Sequence, residues 1–521
     1  MKRYLAKRIL FSIFSLLVVT FAVMWLTFDV MDRDLIFTAD PMVSRLAYND
    51  LELYKHNKFV EYGYEEYVSL GSYLKDVYSE RLGPDYAKDA DYKKATRSIY
   101  DEATYLDDAD VQAFIAKYES KGYTITYYAP VRQFRKIVSN PALLAVRRLN
   151  VFEHFGQYLS GLFHFETIND VTDPNLTDRY IRWEWDERSN MPALVGSGTY
   201  HKYLLYFDNH FPFIHQNFLH INLGQSTAIN KGIDVYDILN MNTGPLEMTD
   251  QEYPVDLGTG VTHSTSLDFH TVVYSASPME SDAEVYGEGE HYINADSSTS
   301  GLTRIGNSFV IGILSVIICY LLGLPIGVWM ARRKDKLVDR IGNAYIIFVA
   351  AVPSLAYIFI IQAIGISAGM PHKWANAASF GIAIVMPIIS LSLPSIGGLM
   401  KWMRRYMIDQ SNSDYVKFAR ATGMTEGEIF SKHIARNAFI WIVHGVPADI
   451  LFALVGALIT ERVYGVPGVG GLLTNGITAS DNGIIVGGTV FYSILSIIAI
   501  IAGDLLLAKY DPRVSFTNER G

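Results

Sequence analysis

The chain has 521 residues, half of them hydrophobic, with a formal net charge of −10 and a mean hydropathy of +0.14. That is too apolar for a soluble protein and, with 19% charged residues, too polar for a chain lying wholly in a membrane. The single cysteine, Cys319, excludes an internal disulfide framework. Charge is also unevenly spread: residues 29–302 hold 42 acidic and 22 basic residues, and the remainder holds 12 acidic and 22 basic.

Residues 9–28 contain no charge and follow Lys2, Arg3, Lys7 and Arg8. Their length suits a membrane span. No small-x-small cleavage site follows in TFDVMDRD, so an uncleaved first span is expected rather than a signal peptide. The segment 29–302 has no comparable apolar run and reads as one large soluble segment, mixed α/β near 35–220. Asp108-Ala-Asp110 predicts a capped helix that stops at Gly122, and residues 123–130 and 200–207 read as strands. Residues 207–224 are aromatic with no clean period. Their histidines, His210, His215 and His220, lack a trustworthy ligand spacing, so plain packing is favoured there over a metal site. Residues 243–302 are rich in Ser, Thr, Gly and Glu, with no Lys or Arg from 251 onward, and read as an open return to the membrane.

Five further spans are expected at about 305–331, 341–368, 377–400, 438–460 and 484–508. Of the 22 basic residues outside 29–302, 19 fall on one side if the amino terminus is cytoplasmic; Arg304, Lys373 and Arg462 do not. By the positive-inside rule both termini are cytoplasmic and 29–302 is extracytoplasmic. Gly323, Pro325, Gly327, Pro353, Pro387, Pro394, Gly397, Gly398 and Pro447 lie inside spans. They fit equally a bundle that lines a path and ordinary small-residue packing.

Between the fourth and fifth spans lies a polar, basic stretch, Ser413–Asn437. Ser413 is placed to cap a short helix, with Tyr415, Phe418 and Ala419 on one face and Lys417 and Arg420 elsewhere. Gly423 stops that helix, and Thr425 with Glu428 forms a capping box that starts the next. Taken alone, this is equally an ordinary loop and a docking hairpin. The chain has no Walker A, HExxH or CxxC pattern, so it cannot hydrolyse ATP by the P-loop route, and no nucleophile elbow is expected.

Several motifs carry a family resemblance. Ala419-Arg-Ala-Thr-Gly423 and Lys432-His-Ile-Ala-Arg-Asn437-Ala438 resemble the loop by which ABC importer permeases engage their ATPases. The first span, Leu223-Gly-Gln-Ser226 with Val235, and Tyr320-Leu-Leu-Gly-Leu-Pro-Ile-Gly327 are similar to the oligopeptide/dipeptide branch. So are Glu461 through Gly470, Asp504-Leu-Leu and Asp511-Pro-Arg513-Val. The general importer loop has Glu and Leu-Pro where this chain has Lys417 and Ala435-Arg436, which narrows the likeness to the peptide branch. The long 29–302 segment, including Val195–Phe207, resembles the first permease subunit of Gram-positive oligopeptide transporters.

The resemblance implies a polytopic α-helical membrane protein of six transmembrane helices, a type I ABC importer permease bundle, with a large mixed α/β extracytoplasmic domain inserted between helices 1 and 2. The implied organisation is 1–30 (amino terminus and first helix), 31–302 (outer domain), 303–400 (helices 2–4), 401–437 (coupling loop), 438–508 (helices 5–6) and 509–521 (tail). Tyr415, Phe418, Ala419, Arg420, Gly423, Arg436 and Asn437 would couple to the ATPase. No catalytic residue, metal or cofactor is implied, because ATP is bound by partner subunits. The implied partners are a second permease, two ATP-binding subunits, a lipid-anchored extracellular peptide-binding protein, the peptide and membrane lipid, with no nucleic acid. Two rival readings are an intramembrane aspartyl protease using Asp449 and Asp504 and a peptide-sensing receptor. The short cytoplasmic tail from Lys509 disfavours the receptor.

Overall fold

The computed structural model describes the chain apart from residues 1, 39, 135, 172–175, 188, 208–212, 242, 244–252, 257–261, 266–269, 271, 275–291, 296–301 and 511–521. His210, most of the 243–302 return and the Asp511-Pro-Arg513-Val motif therefore lie outside the described residues.

Among the described residues, fifteen α-helices are six residues or longer. The first, α1 (Lys2–Met24), runs on through a π-helical turn, Trp25–Val30. In the segment that follows are α2 (Tyr48–Glu61), α3 (Leu70–Leu82), α4 (Ala90–Ser98), α5 (Ala109–Glu119), α6 (Val151–Gly161) and α7 (Val235–Asn240). The apolar half holds α8 (Arg304–Arg332), α9 (Leu337–Ala351), α10 (Ser354–Ser367), α11 (Phe380–Ser411) and α12 (Asp414–Ala421). It closes with α13 (Arg436–Tyr464), α14 (Val469–Thr478) and α15 (Asn482–Tyr510).

Among the described residues, five helical stretches are long and apolar enough to cross a membrane: Ala6–Val30, α8, α11, Glu426–Tyr464 and α15. The expected span 341–368 is instead broken. Helices α9 and α10 meet at a bend of 110° and pass the same test only as a pair. Pro353 sits at the break in the N-cap position of α10; it has no N–H, and it holds Val352 in an extended conformation. Pro325, Pro387, Pro394 and Pro447 remain inside their helices.

Helices α8 and α11 pack closely along their length. A Cβ on Gly327 would lie 2.9 Å from Met403 Cβ and 3.0 Å from Met400 O, and one on Gly323 3.2 Å from Leu399 Cβ. The small-x-x-x-small spacing thus lets the two backbones approach, as helix association in lipid favours. A bidentate ion pair ties α9 to α11: Arg404 Nε and Nη2 donate to the two oxygens of buried Asp339 at 2.5 and 2.8 Å. The core below them joins Met403, Met407, Val416, Ala419, Ile429, Ile434 and Ala438.

Between α1 and α8 the chain builds small antiparallel sheets. One has the order β1 (Glu65–Ser69), β5 (Ala142–Arg148), β2 (Thr124–Tyr128), with Val68 opposite Ala145 and Thr126 opposite Leu144. Its central strand is buried from Ala142 to Ala145, where Leu143 and Ala145 pack with Leu70, Leu74, Val111 and Phe114 of α3 and α5. The Asp108 cap forms as expected, its carboxylate accepting from Asp110 N and Val111 N. A second sheet has the order β10 (Ile214–Gln216), β9 (Tyr203–Phe207), β8 (Met191–Ser197), β7 (Tyr180–Asp186).

Candidate functional site

The stretch after α11 folds as a helical hairpin. Gly423 has φ +80°, the left-handed conformation that closes α12, and its N–H donates to Arg420 O. The Thr425–Glu428 capping box forms reciprocally and starts the return helix. That helix does not stop at the membrane: after a π-helical turn, Ile429–Ala435, it continues as α13. Ser413 does not cap α12. Its hydroxyl donates to Gln410 O at 2.6 Å, because α11 runs past the expected end at residue 400 to Ser411 and leaves its last carbonyls to be satisfied.

The predicted coupling residues divide into two groups. Ala419 is buried in the core below α11, beside Val416, which is 0% exposed. Tyr415 turns inward, its hydroxyl donating to Gln410 Oε1 and accepting from Asn437 Nδ2 at 3.1 Å, so Tyr415 and Asn437 clasp the two ends of the hairpin. Phe418 is 70% exposed, and Arg436 is exposed as well. Arg420 pairs with Glu426 across the turn at 2.7 Å. The expected stripe Tyr415–Phe418–Ala419 is therefore rotated: at about 100° per residue the inward face centres between Ala419 and Val416, and Phe418 falls about 130° away. Sequence reasoning missed Val416, whose i, i+3 relation to Ala419 was the available signal.

Above the hairpin, α8, α10, α11 and α13 enclose a cavity of about 520 Å³. Its walls are mostly apolar. Trp402 and Tyr406, one turn apart on α11, stack at 5.7 Å and 25°, and Trp441 of α13 continues the ladder at 6.3 Å and 26°. Asp449 of α13 also lines it and accepts from Tyr320 of α8 at 2.6 Å.

At the opposite end, the segment before α7 is locked onto α15. Asp481, fully buried, accepts from Ser226 Oγ (2.6 Å), Thr227 N (3.0 Å), Ala228 N (2.9 Å) and Ile229 N (2.9 Å). It also caps α15 through Ile484 N at 3.1 Å. A Cβ on Gly483 would meet Gln225 O at 1.9 Å, so the two backbones touch there. Asn482 donates to Tyr64 Oη and, at 3.1 Å, to Thr27 O. Glu461, at the end of α13, accepts from Ser308 Oγ (2.6 Å) and Gly471 N (2.9 Å). Asp234 caps α7 through Tyr236 N at 2.7 Å, and burial pushes its carboxyl up to about 7 despite that bond.

Several chemistries lose their footing here. Asp504 pairs with Arg8 at 3.2 Å, whereas Asp449 engages Tyr320, so the two carboxylates serve separate partners rather than one aspartyl dyad. His215 stacks on Tyr206 and His220 lies 3.8 Å from Asp237. Among the described residues no group of three or more His, Cys, Asp and Glu is placed to hold a metal ion. Gly365-Ile-Ser-Ala-Gly369 has the spacing of a nucleophile elbow, but Ser367 sits at a helix end with its hydroxyl bonded back to Ala363 O at 2.9 Å.

Residues 323–516, which span the hairpin and most of the cavity, match the family described as binding-protein-dependent transport system inner membrane component. The chain is 30% identical, over all of both proteins, to the oligopeptide transport system permease protein AmiC of Streptococcus pneumoniae. It is 28% identical to the dipeptide transport system permease protein DppB of Lactococcus lactis, over 44% of this chain and 75% of that one. With OppB of Mycobacterium bovis the identity is 26% over 40% and 70%. The chain belongs to the oligopeptide/dipeptide permease family of ABC importers. It is thus a multi-pass membrane subunit of a larger transporter and not an enzyme, and the protease and receptor readings are set aside.

Proposed function

We propose that this subunit forms one half of a heterodimeric channel that carries oligopeptides across the cell membrane. A second permease completes the channel, two ATP-binding subunits drive it, and a lipid-anchored extracellular binding protein delivers the peptide. The chain crosses the membrane six times, with α9 and α10 together as the third crossing. Both termini are cytoplasmic, and residues 31–302 form an extracellular mixed α/β domain that docks the binding protein. The charge asymmetry supports this orientation.

The observation that carries the reading is the continuity of the hairpin with the cavity wall. Hairpin and cavity share α13, and the hairpin is seated on the core of α11. A partner that grips the hairpin differently in its two nucleotide states therefore biases the bundle between two forms. Phe418 and Arg436 present the gripping surface, Arg420 and Gly423 fix the turn, and Tyr415, Ala419 and Asn437 fasten it to the bundle.

The test is purification of the intact complex from its native membrane, identification of the co-purifying ATPases and binding protein, and measurement of peptide-stimulated ATP hydrolysis. Gly423→Val is expected to leave the complex assembled while uncoupling hydrolysis from uptake. Uptake at the unmodified rate in that variant would refute the coupling role.

A further inference from the structure

We propose that the cavity between α8, α10, α11 and α13 holds the terminal ammonium group of a peptide in transit, with Asp449 as its counter-charge. The proposal rests on the peptide reading above and adds an orientation to it: amino end at Asp449.

The first argument is charge. Among the described residues lining the cavity, Asp449 is the one formally charged side chain; the rest are aliphatic, aromatic, hydroxyl-bearing, Cys319, Gly or Pro. A carboxylate in a membrane helix is costly and is expected to face a partner or a path. Its described partner, Tyr320, is neutral and contributes a single hydrogen bond to Oδ2. That bond fixes the carboxylate and leaves Oδ1 without a donor among the described residues. An ammonium group supplies the missing charge and the missing donors together. A peptide carboxylate is repelled by the same group.

The second argument is shape. The volume falls within the range of small-molecule sites, and the walls are apolar with few polar groups, as such sites usually are. Trp402 and Trp441, the two ends of the ladder on Tyr406, offer ring faces to an apolar or cationic body. Lys401 and Arg405 already lie 6.0 and 5.4 Å from the Trp402 ring, so Trp441, half exposed, is the freer end of the ladder.

The test uses the whole transporter in proteoliposomes, with tetraalanine and N-acetyl-tetraalanine as probes, each supplied at equal occupancy of the binding protein. The unmodified transporter is expected to move the free-amino peptide about ten-fold faster, the scale of one charge-assisted contact. Asp449→Asn, which keeps the shape and the bond from Tyr320, should slow the free-amino peptide to the acetylated rate. Tyr320→Phe leaves the charge and should keep the preference for the free amine at a lower rate. The subsite is overturned if Asp449→Asn transports the free-amino peptide normally, or if it slows both peptides equally with the preference intact. Failure of the unmodified transporter to move either peptide would instead overturn the peptide reading itself, and the subsite with it.

Discussion

The two ends of the α13–α15 pair are held by opposite means. At the hairpin end the turn is closed by local chemistry over a shared buried core: a left-handed glycine, a capping box four residues long and exposed ion pairs such as Lys417–Asp414 and Arg420–Glu426. The opposite end is closed by buried contacts between residues about 250 positions apart, Asp481 with Ser226–Ile229 and Gly483 against Gln225. Exposed pairs gain little because water screens them, whereas a buried carboxylate surrounded by amide donors is costly to disturb. One end thus hangs on contacts distant in sequence, whereas the turn at the other is set by near neighbours.

The sharpest way to break the comparison is to place the same small change at both ends. Gly483→Ala drives a methyl into Gln225 O and should destabilise by about 3 kcal/mol or more, since backbone cannot yield as a side chain can. At the hairpin, a Cβ on Gly427 meets nothing within 4 Å, so Gly427→Ala should be neutral or stabilise by up to about 1 kcal/mol. Thermal unfolding of the purified complex distinguishes them, and similar midpoints would erase the asymmetry. Next in size, Asp481→Ala strands Ser226 Oγ and four backbone N–H groups, with an expected loss of about 3 kcal/mol and early proteolysis between residues 224 and 234.

A pH series is gentler. Asp234 stays protonated in the fold to about pH 7, held up first by burial, while the unfolded chain releases that proton near its ordinary value of 3.8. The folded state therefore binds more protons between pH 4 and 7, and stability should fall as pH rises through that window and level off above it. Asp234→Asn should flatten this part of the profile; an unchanged slope would place its origin elsewhere. The smallest effect is expected for Arg420→Ala. It should leave the unfolding midpoint where it is, and a lowered affinity for the ATPase without that shift would mark Arg420 as part of the docking surface.

This asymmetry also governs what could be read in advance. Gly423, Thr425 and Glu428 act on neighbours within a few residues, so their signals survive in a bare sequence. The same holds for Asp108 and for the apolar lengths of the long helices. The Asp481 junction is invisible there, because nothing near position 481 announces a turn at 226. The register of α12 is subtler: Tyr415, Phe418 and Ala419 share a face by spacing, but the floor of α11 takes Val416 and Ala419 with Tyr415 against it, and Phe418 is left exposed. Proline was equally ambiguous, since Pro353 ends a helix while four others in apolar runs do not. The carboxylate at 449 was visible, but the aromatic ladder near it was not, because Trp441 and Tyr406 come from different helices.

The unbroken path from Glu426 to Tyr464 has a mechanical side. It spans 39 residues, or about 58 Å at 1.5 Å per residue. A rod of that length, held near one tip by Glu461 on Ser308, would carry its hairpin tip through about 5 Å for a tilt of only about 5°. The π-helical turn at Ile429–Ala435 is the wrist of that rod, a place where one extra residue per turn can be absorbed or released. Sub-nanometre strokes at the hairpin thus need no unfolding anywhere: a lever with a fixed fulcrum already has the gearing.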